Sequence, residues 1–147
     1  MIKLNLGCGN LPLEGYKNVD ISPTAKADEF YDITKGIREE EGTVSEINAG
    51  CVLEQIASNE DFIFVINECH RVLENGSTLK GYVPSTDPSV LFLDPMDRRF
   101  FQEGSFDYFE SSKHHWKEFG RNYGLKGWSK ALAKKNEHGI IFFGLIK

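Results

Sequence analysis

A chain of 147 residues, 40% hydrophobic and 12% aromatic, is the size of one ordinary domain with a real core, which excludes disordered, collagenous and disulfide-stapled chains. A net charge of −5 argues against a duplex nucleic-acid binder, and no apolar run approaches the roughly 18 residues of a membrane span. The opening MIKLNLG has no apolar signal core, and Cys8, Cys51 and Cys69 suggest neither a disulfide framework nor a zinc site, so a cytoplasmic protein without a metal is expected.

Ile2 to Leu6 alternates apolar and polar residues and reads as a strand that stops at Gly7. Lys17 to Ile21 reads as a second strand, Asp28 to Ile33 as a weak third and Val44 to Ala49 as a fourth. Asp61 to Leu73 has the three- and four-residue apolar spacing of a helix, with Glu60 and Asp61 near its start, Arg71 in its last turn and Asn75-Gly76 as its stop. Thr78 to Val83 is a fifth strand. Asp87 to Arg121 is long, aromatic and rich in turn signals, and Ser129 to Lys134 with Ile140 to Ile146 forms a closing hairpin. The pattern predicts one α/β domain over 1–147: a Rossmann-like, three-layer, mostly parallel sheet with an antiparallel C-terminal hairpin. Within it, 1–83 would bind a cofactor, 84–125 would form a substrate or lid segment, and 126–147 the hairpin. Charge divides similarly: residues 97–147 hold ten Lys/Arg against six Asp/Glu, a balance of +4, whereas residues 1–96 stand at −9. The basic third is either solvated surface or a surface that meets an acidic substrate.

In such sheets a ligand sits beyond the carboxyl ends of the strands, where LNLGCGN ends the first one. A dinucleotide loop needs G-x-G-x-x-G and a following helix, but Pro12 stands where the third glycine belongs. Only Asn10 to Tyr16 separates the loop from the second strand, an extended reach of about 23 Å. That length leaves little room for a crossover helix, so the first one is expected to be missing. No Gly-Lys-Ser/Thr follows, which excludes a P-loop. A cofactor without phosphate fits better: glycine backbone approaches an amino-acid moiety, Asp20 accepts ribose hydroxyls, and Asp32 meets an adenine amino group. Alternatively, Asp20 is a turn residue before Ser-Pro and Asp32 caps a helix.

Together, LNLGCGN, NVDI, AGCVLEQI, ECHRVLENGSTLKGYVPS and DPMDRRFFQEGSFDYF resemble class I S-adenosylmethionine-dependent methyltransferases of the small type-11-like kind, over residues 2 to 110. The resemblance implies that Leu6, Gly7, Cys8 and Gly9 line the methionine part of the cofactor. Asp20 would hold the ribose with Ile21 against the adenine, and Asp32 and Ile33 would flank the adenine edge. Cys51, Val52 and Leu53 would lie beside the methyl donor, unless Val52 and Leu53 only pack the core. The cofactor would be S-adenosylmethionine, leaving S-adenosylhomocysteine. The pattern also departs from the family: the histidines of H-V-L-E-H-I are Cys51 and Gln55, and that of D-P-x-H is Asp97.

Methyl transfer from a sulfonium is an in-line displacement in which positioning supplies much of the catalysis. Asp97, His114 and His115 are the candidate bases for an acceptor that must lose a proton. Arg98 and Arg99 would grip a carboxylate or phosphate, or else form surface ion pairs, and Tyr108 would reach the substrate. His70 reads as structural and His138 as exposed. A small-molecule or glycan-type acceptor is expected. The competing readings are a non-catalytic methyltransferase-like scaffold and an NAD or nucleotide-sugar enzyme. Loss of the first helix would bare an apolar surface, which a second copy in a homodimer or the aromatic segment would cover.

Overall fold

The computed structural model describes all 147 residues. Its strands are β1 (Ile2–Leu6), β2 (Lys17–Asp20), β3 (Glu29–Phe30), β4 (Val44–Gly50), β5 (Leu73–Pro84), β6 (Lys130–Lys135) and β7 (Ile140–Ile146). They form one sheet in the order β3-β2-β1-β4-β5-β7-β6. The first five run parallel, and β7 lies antiparallel to both β5 and β6. The expected Rossmann-like α/β sheet with a C-terminal antiparallel hairpin is therefore present. The third strand is only two residues long. No helix is long and apolar enough to cross a membrane.

The one α-helix, α1 (Asn59–Val72), begins two residues before the expected start because the Ser58 hydroxyl accepts the Asp61 N–H at 3.0 Å. Its apolar stripe buries Val65, Ile66, Cys69 and Val72 against the sheet. Asn75-Gly76 does not stop the helix, which ends at Val72. Leu73 pairs with Val44 and Thr78 with Glu46, so the residues between them bulge out of the β4 pairing. Gly76, at φ +81°, makes that bend and donates its N–H to the Lys147 carbonyl.

The two sheet faces are finished differently. On one, Leu4, Leu6, Val19, Ile47, Leu79, Val83, Ile141, Phe143 and Leu145 form the core with α1 and the aromatic segment. Phe106 stacks on Phe143 at 5.0 Å and on Phe101 at 5.7 Å, and Phe62 of α1 meets Phe101 and Phe109. The other face carries no helix. Asn18, Asn5 and Asn48 form an amide ladder across β2, β1 and β4, with bonds of 2.9 and 2.8 Å. Asn18 Oδ1 also accepts the Leu13 N–H, and Asn18 Nδ2 reaches the carbonyls of Leu13 and Tyr16. Further along, the Tyr16 hydroxyl bonds Glu46, which pairs with Lys80 at 3.0 Å. The abbreviation thus goes beyond a missing first helix: this layer is reduced to the Leu11 to Tyr16 loop, held by side-chain amides.

That arrangement corrects the expectation of a bared apolar surface. Beside the short crossover the strands present asparagine, glutamate and lysine. The aromatic segment packs on the opposite, helix-bearing face. The strands of the open face expose the apolar side chains Leu132 and Phe142 in the distant hairpin, while Leu11 and Leu13 are exposed on the crossover loop itself.

Candidate active site

The chain reverses direction in the sheet at β1, whose neighbours are β2 on one side and β4 on the other. The loops leaving β1 and β4 meet there. Gly7 sits at φ +65°, and a Cβ on it would fall 2.4 Å from Val52 Cγ2, so both backbone geometry and close approach require glycine. A Cβ on Gly9, at φ +51°, would meet only open space. That space belongs to a cavity of about 470 Å³ lined by Gly7, Gly9, Asp20, Ile21, Tyr31, Asp32, Ile33, Thr34, Cys51, Val52, Gln55, Ile56, Ala57 and Asp61. Eight sequence-predicted residues are brought together here. Leu6, Cys8 and Leu53 are buried, with little surface to offer the cavity.

Asp20 orders this cavity. Its Oδ2 accepts the Gly9 N–H at 2.7 Å and its Oδ1 the Ser22 N–H at 2.8 Å. Each oxygen keeps a further lone pair for a ligand hydroxyl. Asp32 does cap the 3-10 turn Ile33–Lys35, its Oδ1 accepting both the backbone N–H and the hydroxyl of Thr34, which leaves Oδ2 free of those bonds. The Thr34 bonds hold its carboxyl below the usual range, so it stays ionised at neutral pH. Three aspartates and no lysine, arginine or histidine line the cavity.

Ala57 also borders a second cavity, of about 550 Å³, between the start of α1 and the aromatic segment. It contains Arg98, Arg99 and Tyr108, all sequence-predicted, with Phe62, Phe101, Phe109 and Tyr123. Arg99 lies 4.3 Å from the Phe62 ring centre. No aspartate or glutamate lines this cavity. His114 and His115 line neither cavity. Both are exposed, and His115 packs on Tyr108 with ring centres 5.0 Å apart and edge-on to His114. The residues just before them fold into a surface turn, which carries both rings outward.

Between the cavities lies a group that the sequence reading did not single out. Glu54 is 1% exposed, and its Oε2 has no partner. Burial and the nearby Asp97 push its carboxyl up to about 7. Asp97 is itself buried, its Oδ1 unpartnered, and burial with Asp94 raises its carboxyl too. Cys51 is exposed to the first cavity, while burial of its sulfur and the charge of Glu54 push its thiol up to about 12. Gln55 donates to Asp94 at 3.1 Å. Two of the positions that depart from the family pattern, Cys51 and Asp97, therefore lie beside Glu54, and neither gives it a cationic partner. Glu54 stood within AGCVLEQI, and the signal that marked it was a glutamate directly after the apolar Val52-Leu53 pair. Tyr31, Ala57 and Tyr123 carried no such signal, since only the fold brings them to cavity walls.

No protein-family model matches the chain, and no curated protein matches its sequence. Its fold, however, is that of S-adenosylmethionine-dependent methyltransferases. A SAM-dependent methyltransferase from Archaeoglobus fulgidus superposes with a TM-score of 0.69 at 12% identity, over 99% of this chain and 85% of that one. The trans-methyltransferase CalH, solved with S-adenosylhomocysteine, gives 0.62 at 15% identity, over all of this chain and 51% of that one. Phosphoethanolamine N-methyltransferase 2 of Haemonchus contortus, solved with phosphomonomethylethanolamine and S-adenosylhomocysteine, gives 0.63 at 10%, over all of this chain and 49% of that one.

Proposed function

We propose that the chain transfers a methyl group from S-adenosylmethionine to a small-molecule or glycan-type acceptor. The observation that carries this reading is the acidic cavity at the β1–β4 switch point, joined through Ala57 to a second cavity of contrasting charge. The first cavity suits this cofactor on chemical grounds. Its volume lies in the range of small-molecule sites. Its three aspartates favour a cationic ligand, and it has no cation to neutralise a pyrophosphate. Bound there, the cofactor supplies an already activated methyl group.

The chain's own residues bind and orient. Gly7 and Gly9 let the backbone close around the amino-acid part, Asp20 holds the ribose through its remaining lone pairs, and Ile21 and Ile33 sandwich the adenine beside Asp32. Leu6, Cys8 and Leu53 set the backbone of those turns. Cys51 and Val52 shape the wall near Ala57. In the second cavity Tyr108, Arg98 and Arg99 orient the acceptor. Glu54, pushed up to about 7, and Asp97, also raised, are buried and line neither cavity, so neither is placed to take a proton from an acceptor.

Saturating S-adenosylhomocysteine raises the melting temperature by several degrees on this account, since a ligand of the folded state alone stabilises it. NAD gives no shift. A shift with NAD and none with S-adenosylhomocysteine overturns the reading.

A further inference from the structure

We propose that the second cavity selects an oxyanion, a carboxylate or phosphate monoester, carried on an aromatic or otherwise apolar body. Calling that ligand the methyl acceptor rests on the methyl-transfer reading above; the anion selectivity does not. Aromatic walls fit a flat apolar body: Phe62, Phe101, Phe109, Tyr108 and Tyr123 all face the cavity. Two guanidinium groups share that space with no carboxylate among the lining residues.

Neither arginine has found an anionic partner elsewhere. Arg98 Nη1 reaches only the carbonyls of Pro95 and Asp97, each at 3.3 Å. Arg99 Nη2 donates to the Ser58 carbonyl at 2.7 Å and to Asn59 Oδ1 at 3.0 Å. Those bonds and the Phe62 ring beneath hold the guanidinium plane. Arg99 Nε is buried and has no partner. A cation half-buried against rings with an unsatisfied N–H is costly, and a counter-charge in the cavity offsets that cost. Arg98 keeps Nε and Nη2 for two parallel bonds to a carboxylate or phosphate, which a neutral carbonyl does not match, and Arg99 keeps Nη1 for one more.

The surroundings point the same way. Arg99 is fastened to Ser58 and Asn59, at the N-terminal end of α1, where a helix favours negative charge and disfavours positive. The first-turn acids do not quench it: Asp61 lines the other cavity, and Glu60 is exposed. The buried carboxyls of Glu54 and Asp97 are raised, whereas an arginine at close range would lower them. The charge of Arg98 and Arg99 therefore stands open to the cavity.

Calorimetric titration of the full chain with benzoate, phenyl phosphate, benzamide and benzylamine tests this. We expect at least one of the two anions to bind tenfold or more tightly than benzamide, with benzylamine weakest. The stronger anion distinguishes carboxylate from phosphate. Arg98→Gln, at an exposed position that folding tolerates, and Arg99→Gln each bring that anion within about threefold of benzamide. Benzamide binding as well as both anions, no binding of either anion, or an unchanged preference in both variants overturns the inference. Parallel titrations with S-adenosylhomocysteine separate the two readings. Anion preference without cofactor binding leaves the selectivity standing and removes the methyl-transfer reading; cofactor binding without anion preference does the reverse.

Discussion

The two cavities that meet at Ala57 are built by opposite means and carry opposite charge. The acidic one is made of turns at strand ends, held by backbone contacts such as the Gly9 N–H on Asp20 at 2.7 Å. The basic one is made of side chains from an irregular, aromatic segment laid against the start of α1. Position in the sheet defines the first cavity, whereas packing defines the second. Substitutions in the core beneath the aromatic segment should therefore disturb the second alone, and carboxylate changes at the strand ends the first alone.

The largest expected effect breaks the basic cavity from beneath. Phe106 is buried and stacks on both Phe101 and Phe143, so Phe106→Ala costs about 3–5 kcal/mol of stability by denaturant titration. In the fraction that stays folded, S-adenosylhomocysteine affinity is unchanged while benzoate or phenyl phosphate binding is lost.

Glu54, between the cavities, comes next. Its carboxyl is raised from 4.5 to about 7, so burial favours the protonated form. Stability from this group is fully present below about pH 4.5, falls as pH rises, and is lost above about pH 7, a change of about 3 kcal/mol. Glu54→Gln flattens stability across that window, measured by urea unfolding from pH 4.5 to 8. An unchanged slope would show that Glu54 ionises as freely as in the unfolded chain.

In the acidic cavity, Asp20→Ala removes two charge-assisted acceptors and lowers S-adenosylhomocysteine affinity about tenfold to hundredfold by calorimetry. It leaves anion binding in the other cavity intact. The smallest effect comes at the shared wall: Ser58→Ala removes the α1 cap and costs about 1 kcal/mol, weakening both cavities alike.

The same contrast explains what the sequence made legible. Glycine spacing, Pro12 and the acid at the end of β2 constrain backbone, and backbone turns are local. Gly7, Gly9, Asp20 and Asp32 were thus readable from the residues themselves, whereas Ile21, Ile33, Cys51 and Val52 came only from the family resemblance; all eight line the cavity. Arg98, Arg99 and Tyr108 were readable as chemistry, but Tyr123 and Ala57 reach their cavity only through long-range packing. His114 and His115 show the opposite failure: suitable chemistry on a turn that faces outward. The polar sheet face was also present in the sequence, in the alternation of Lys3 and Asn5 with Leu4 and Leu6. Expecting an apolar surface there followed from what a missing helix usually uncovers. Here Asn5, Asn18 and Asn48 take over the hydrogen bonding of that layer.

Amide chemical-shift mapping during titration with S-adenosylhomocysteine shows whether the cofactor occupies the acidic cavity. The account predicts saturable shifts at Gly7, Gly9, Ile21, Ile33, Cys51 and Val52, with the amides of the polar sheet face, such as Asn48, unmoved. Shifts scattered away from the β1–β4 switch point, or none at millimolar ligand, would contradict it.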